Sequence, residues 1–332
     1  MQISFPDLLD LLERGLAAEG MSQRNAASIA RVIAAAEQDG AHGHGVFRLR
    51  GYVETLRSGW VDGRAEPVVD AGVAGLVKVD ARNGFAQPAQ EAGRDALIAK
   101  TRTNGVAAML VRDSHHFAAL WPDVEPLAEA GLVALAFVNG RSRVAPWGGD
   151  RKLFGTNPMA FACPRRDGPP IVWDQASSTT ANAALLMAAR DGQPVEEGTG
   201  IDARGWPTTD PNDILAGGAQ LPFGQHKGSM IALMVEILAA ALTGGRFGME
   251  DASAAFPGAQ TSRAGETIIA IDPTAAAGDG FLARIETLCA ALDGNGAARI
   301  PGSRRHAERR RNASAMLEIS DDAYRFALGL LP

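Results

Sequence analysis

The apolar positions fall first at helical spacing. Leu8, Leu9, Leu12 and Leu16 recur behind Pro6 and Asp7, which suit a first turn. An alanine-rich run over residues 22–37 keeps the period and stops at Asp39 and Gly40; another helix is expected from about Gly45 to Ser58 and Gly59. The pattern then changes. Short β-like runs at residues 75–80, 107–112 and 133–138 alternate with helical stretches at 88–103 and 122–130, which predicts mixed α and β structure. Residues 140–225 are dense in Gly, Pro, Thr and Asn yet contain apolar strands at 159–163 and 171–173, so they read as a ligand-contacting wall. A strong helix over 227–242 stops at Gly244 and Gly245, followed by a strand at 267–271 and a helix over 280–292.

Composition narrows the classes. The 332 residues are 46% hydrophobic and 21% charged, ordinary for a folded chain large enough for two or three lobes. A net charge of −6 argues against a nucleic-acid or anionic-membrane partner. The two cysteines, Cys163 and Cys289, form neither a disulfide framework nor a metal knuckle, which suits a reducing cytoplasm. The N-terminus reads as a helix and not a secretory signal, and the longest apolar stretch, 230–242, is short for a bilayer and carries Glu236.

Candidate chemistry lies in five clusters. There is no Gly-x-Gly-x-x-Gly turn, P-loop, zinc-ligand cluster or Gly-x-Ser-x-Gly elbow, so a standard Rossmann site is disfavoured. All six histidines sit in polar or Gly-flanked contexts. In the first cluster His44 would cap the helix expected at Gly45, with Arg48 one turn on; an imidazole can move the proton that accompanies hydride transfer, and a guanidinium can hold a carboxylate. A polar helix start with a surface arginine is the plainer reading. Asp113 to Phe117 follow an apolar strand, where α/β proteins gather ligand contacts. Residues 154–158 (FGTNP) form a turn able to grip a carboxylate through backbone N–H groups and Thr156, or a plain turn. His226 and Lys227 open the long helix, a natural phosphate site. The arginines over 299–311 imply an anion: a cofactor phosphate, a partner's acidic face, or merely solvent.

Together these clusters resemble the type-2 malate/L-lactate dehydrogenase family along essentially the whole chain. The strings at 114–123 (SHHFAALWPD), 205–211 (GWPTTDP), 226–229 (HKGS) and 238–245 (LAAALTGG) look most like its Δ1-piperideine-2-carboxylate/Δ1-pyrroline-2-carboxylate reductases. The resemblance implies a mixed, non-Rossmann α/β fold. A largely antiparallel NAD(P)-binding sheet lobe (121–297) would join a substrate and dimerisation lobe from both chain ends (1–120 with 298–332). The protein would be a homodimer. By the same implication His44 handles the proton, and Arg48 and Thr156 hold the substrate carboxylate. His116, Phe117, Ala118, Ala119, Leu120, Asp174, Gln175, Ala176, His226, Lys227, Pro301, Arg304 and Arg305 would line the cofactor, NADPH or else NADH. The implied reaction is reduction of a small cyclic 2-imino carboxylate to the L-amino acid. A 2-hydroxy-acid dehydrogenase and a cofactor-binding protein with little catalysis are the alternatives. Three departures stand out: Gly43 replaces the family's serine, Ala184 the reductases' aspartate (here Asn182-Ala183-Ala184), and Trp147 their histidine.

Overall fold

A computed structural model describes all 332 residues. The N-terminal helices form where their caps and stripes predict. Ser4 caps Phe5–Ala18 by accepting from the Asp7 N–H, and Ser22 caps Gln23–Gln38 in the same way from Asn25. Leu8, Leu12 and Leu16 are fully buried, and they join Leu49, Tyr52 and Val53 of the helix Leu49–Arg57. Leu317, Ala327 and Leu330 from the far end of the chain complete this core, and Gln2–Ile3 pairs with Leu317–Glu318. Both chain ends therefore share one apolar cluster.

The larger core is built on a seven-stranded sheet. Its strands are β1 (Val68–Asp70), β2 (Leu76–Asp80), β3 (Val106–His115), β4 (Val133–Val138), β5 (Met159–Cys163), β6 (Ile171–Gln175) and β7 (Arg263–Ile271). Their spatial order is β1-β2-β3-β7-β4-β5-β6, and only β2 and β3 run parallel. The strands between 68 and 115 belong to this sheet, so the lobe boundary expected at residue 120 falls inside the sheet's own layer.

Alternation explains why these strands read as continuous apolar runs. In β4, Ala134, Ala136 and Val138 face the core shared with the helices Ala86–Asn104 and Trp121–Glu129. Leu135 and Phe137 face the opposite side, against Val235 and Ala239. Both faces are covered, so both sets are apolar. The covering helix runs over His226–Glu236 and continues as a wider turn through Ile237–Ala241. At Gly265 in β7 a Cβ would collide with the Ala239 carbonyl, and the register shifts between Ala264 and Glu266. Glycine there is what lets this helix lie so close to the sheet.

Two expected elements differ in extent. The strand expected at 107–112 continues to His115, because His115 is fully buried against Trp60 and bonded to Asn83 at 3.0 Å. The helix expected from Gly45 begins at Leu49, preceded by short 3-10 turns at His42–His44 and Val46–Arg48. No helix is long and apolar enough to cross a membrane.

Candidate active site

Strand direction gathers distant segments at one end of the sheet. β3 and β4 are both antiparallel to β7, and β5 is antiparallel to both β4 and β6. The C-terminal ends of β3, β4 and β6 therefore meet the N-terminal ends of β5 and β7. A cavity of about 320 Å³ opens there. Its walls are the chain after β3 (His116 to Leu120), after β4 (Asn139 to Arg141, and Arg143), before β5 (Thr156), after β6 (Ala176) and before β7 (Gln260 to Ser262). His44 and Arg48 close it from the helical core.

Glu37 holds the histidine turn in shape. Its buried carboxylate accepts from the Val46 N–H at 2.7 Å and meets His42 Nδ1 at 2.6 Å. A Cβ on Gly45 would strike this carboxylate, so glycine is required at the approach. Arg48 Nε donates to the Gly43 carbonyl at 2.9 Å, which fixes guanidinium and imidazole on one wall. Burial, then Arg48 and His116, push His44 down to about 4, so the imidazole is neutral at pH 7. Its Nδ1 is buried without a hydrogen-bond partner.

Opposite lies an acidic cluster. His116 Nε2 contacts Asp123 Oδ2 at 2.9 Å, and Glu266 lies close by with Gln90 donating to it at 2.8 Å. Burial works against charge on His116, but Asp123 outweighs it and raises the imidazole's pKa. Glu266, buried beside Asp123, is pushed up to about 8. Asp174 is also raised by burial; it accepts from the Leu120 N–H at 2.9 Å and so ties the ends of β3 and β6 together.

The cavity brings together His44, Arg48, Thr156, His116 to Leu120 and Asp174 to Ala176. Other expected residues lie outside its lining. His226 and Lys227 are exposed at the start of the helix on the sheet's other face. Pro301, Arg304 and Arg305 sit at or near the start of Ser303–Arg311. Arg305 stacks on Trp121 at 4.5 Å and donates to the Val172 carbonyl at 3.3 Å, while Arg304 is exposed and makes no ion pair. Arg309, read as meeting solvent or an outside anion, is an internal clasp: it bonds Asp39 at 2.6 Å and Glu125 at 2.7 Å.

Ala184 is exposed and outside the cavity, whereas Asn182 and Ala183 line it. Burial, then Arg48, is what lowers the His44 pKa. Position 43 has open space where a serine side chain would stand. Trp147 is 47% exposed and is not part of the lining. Sequence reading missed Arg141, Arg143 and Gln260 to Ser262. Their only signal is position, directly after the run at 133–138 and directly before the last strand.

A neutral, half-buried histidine beside a guanidinium thus stands at a sheet end that gathers five strand termini. The malate/L-lactate dehydrogenase family matches residues 3–326, and the chain belongs to that family. A Δ1-pyrroline-2-carboxylate/Δ1-piperideine-2-carboxylate reductase of Pseudomonas syringae pv. tomato is 52% identical over 96% of this chain and 93% of its own. A (2R)-3-sulfolactate dehydrogenase (NADP(+)) of Chromohalobacter salexigens is 42% identical over 95% and 93%. The crystal structure of the Δ1-piperideine-2-carboxylate reductase from Pseudomonas syringae pv. tomato superposes with a TM-score of 0.97 at 49% identity, covering 99% of both chains.

Proposed function

We propose that this protein reduces the C=N bond of a small cyclic 2-imino carboxylate, Δ1-piperideine-2-carboxylate or Δ1-pyrroline-2-carboxylate, to the L-amino acid. The observation that carries the reading is the joining of His44 and Arg48 with Thr156, from two separate segments, in one cavity. The reductases at 52% identity support the same substrate class.

Arg48 holds the substrate carboxylate, with the Thr156 hydroxyl as a second donor. A nicotinamide cofactor, when bound, supplies the hydride. Its reactive end suits the lining at 116–120 and 174–176, in the largely antiparallel sheet lobe and unlike a Rossmann site. Lys227, exposed and without an ion pair, is free to meet its diphosphate, and Arg304, equally free, a 2′-phosphate, a contact that only NADPH offers. Arg305 and Pro301 support that wall from behind.

Neutral His44 favours an imine over a 2-oxo acid. A ketone becomes an alkoxide on hydride addition and needs a proton donor, which an imidazole near 4 supplies poorly at pH 7. A protonated imine brings its own proton: hydride addition to C=NH⁺ leaves a neutral amine, and His44 has only to accept the N–H. The lobe from both chain ends positions His44 and Arg48, two buried free thiols suit the cytoplasm, and the working form is a homodimer. Incubation with NADPH and Δ1-piperideine-2-carboxylate, followed by chiral chromatography, tests the reading. The L-enantiomer is expected; the D-enantiomer or absence of product contradicts it.

A further inference from the structure

The apolar stretch 230–242 carries one charged side chain, Glu236, and the structure buries it. Glu236 ends the helix His226–Glu236, where it reaches the loops that follow β4 and precede β5. Asn139 Nδ2 donates to its Oε2 at 3.1 Å, and the Gly248 N–H points at both oxygens from 3.3 and 3.4 Å. Burial pushes the Glu236 carboxyl up, and Asn157, Asn139 and the N–H groups of Gly248 and Gly155 oppose the rise. All of these neighbours donate and none is a cation, so the place is built for an acceptor-only carboxylate. No step of the proposed reaction uses it.

What these donors have in common is Thr156. Gly155 and Asn157 flank it, and Asn157 is fully buried with a φ of 39°, a left-handed conformation that asparagine tolerates but its surroundings must hold. Asn157 Nδ2 donates at 2.9 Å to the carbonyl of Ala232, one turn before Glu236. The helix therefore grips the turn on both sides of a residue that lines the cavity. Asn139, which also lines the cavity, accepts from the Gly265 N–H through Oδ1 at 3.0 Å and donates to the Arg246 carbonyl at 2.8 Å. One carboxylate thus ties together the end of β4, the start of β5 and, through Asn139, the irregular point in β7.

We infer that Glu236 is a positioning residue: from behind the cavity wall it sets the Thr156 turn and Asn139 in the geometry that receives the substrate carboxylate. The inference deepens the proposed function and rests on Thr156 serving that carboxylate. Glu236→Gln places an NH₂ group where every neighbour is a donor, so at least one donor loses its partner and the turn relaxes. Carboxylate binding then weakens, while the wall at 116–120 and 174–176 proposed for the cofactor keeps its shape.

Calorimetric titration of the NADPH-saturated protein with two unreactive mono-carboxylates, pyridine-2-carboxylate and oxamate, reads the grip without turnover. The result does not depend on whether C=N or C=O is the bond reduced. In Glu236→Gln both ligands should bind at least roughly tenfold more weakly, with NADPH affinity changed by less than about threefold. A double-mutant cycle with Thr156→Ala supplies the readout that lost stability alone would not move. Thr156→Ala should weaken binding at least roughly tenfold in the unmodified chain, and about threefold or less in the Glu236→Gln background. Asn157→Gly allows the same φ but loses the anchor on Ala232; it should show the same coupling, and it serves if Glu236→Gln does not fold. An equal cost of Thr156→Ala in both backgrounds overturns the inference, as does unchanged carboxylate affinity in Glu236→Gln. If Thr156→Ala costs nothing in the unmodified chain, Thr156 leaves the substrate site, and the inference falls together with that part of the proposed function.

Discussion

At the scale of single residues, His44 and Arg48 carry contrasting demands. Arg48 lies on the cavity wall with its Nε tied to Gly43, so its fork is oriented before any ligand arrives. Arg48→Lys keeps the charge and loses the fork; KM for the imino carboxylate should rise at least roughly tenfold, about 1.4 kcal/mol, with cofactor affinity little changed. An unchanged KM would remove Arg48 from substrate binding. His44 makes a prediction about pH. Its pKa is pushed down to about 4, so above that value the protonated fraction falls about tenfold for each unit of pH. Reduction of a 2-oxo acid, which needs His44 as donor, should therefore speed up about tenfold per unit from about pH 7 toward about pH 5. Imine reduction should instead follow the ionisation of the imine. A flat 2-oxo acid rate, or one unchanged in His44→Ala, would mean that the proton comes from another group. This pair was legible in the sequence because four residues of spacing is a local property. The main reason for the low pKa was not, since burial comes first, with Trp121 packed against the ring from far away in the chain; only the second cause, Arg48, is local.

At the scale of elements, the helix His226–Glu236 and its continuation have two different faces. Val235 and Ala239 lie on the sheet, while Met230, Leu233, Met234 and Ile237 are 66%, 49%, 37% and 51% exposed. Their spacing makes one continuous apolar stripe. We propose that the stripe is covered by the second copy in the homodimer. Leu233→Glu with Ile237→Glu should weaken the dimer at least roughly a hundredfold, because it buries two unpaired charges. Light scattering should then give the monomer mass at concentrations where the unmodified chain is a dimer; an undisturbed dimer would remove this helix from the interface. The helix itself was readable from its period, as were most strands. Which of its faces meets the sheet was not. Nor was the role of Arg309, whose partners Asp39 and Glu125 come from segments far away in sequence and join the helix Ser303–Arg311 to both cores.

At the scale of the whole molecule, the site exists because the last strand inserts into the middle of the sheet. With β7 between β3 and β4, segments near residues 116, 140 and 261 become neighbours, and β5 and β6 add Thr156 and Ala176. Pattern reading supplied the mixed α/β class, and the family resemblance named just under half of the residues that line the cavity. It could not supply Arg141, Arg143 or Gln260 to Ser262, because non-local strand order is not written in local periodicity. It also grouped residues 68–115 with the chain ends, since β3 and β7 meet only through long-range pairing. The central claim is that this cavity reduces cyclic imines in preference to ketones. It is tested most directly by following reduced-cofactor oxidation at neutral pH with Δ1-piperideine-2-carboxylate, Δ1-pyrroline-2-carboxylate, pyruvate, oxaloacetate, and pyruvate plus methylamine. At least one cyclic imine should be consumed with a kcat/KM at least roughly a hundredfold above either 2-oxo acid, a gap of about 2.7 kcal/mol in transition-state stabilisation. Faster reduction of pyruvate or oxaloacetate than of both imines, or cofactor binding with no substrate turned over, would contradict it.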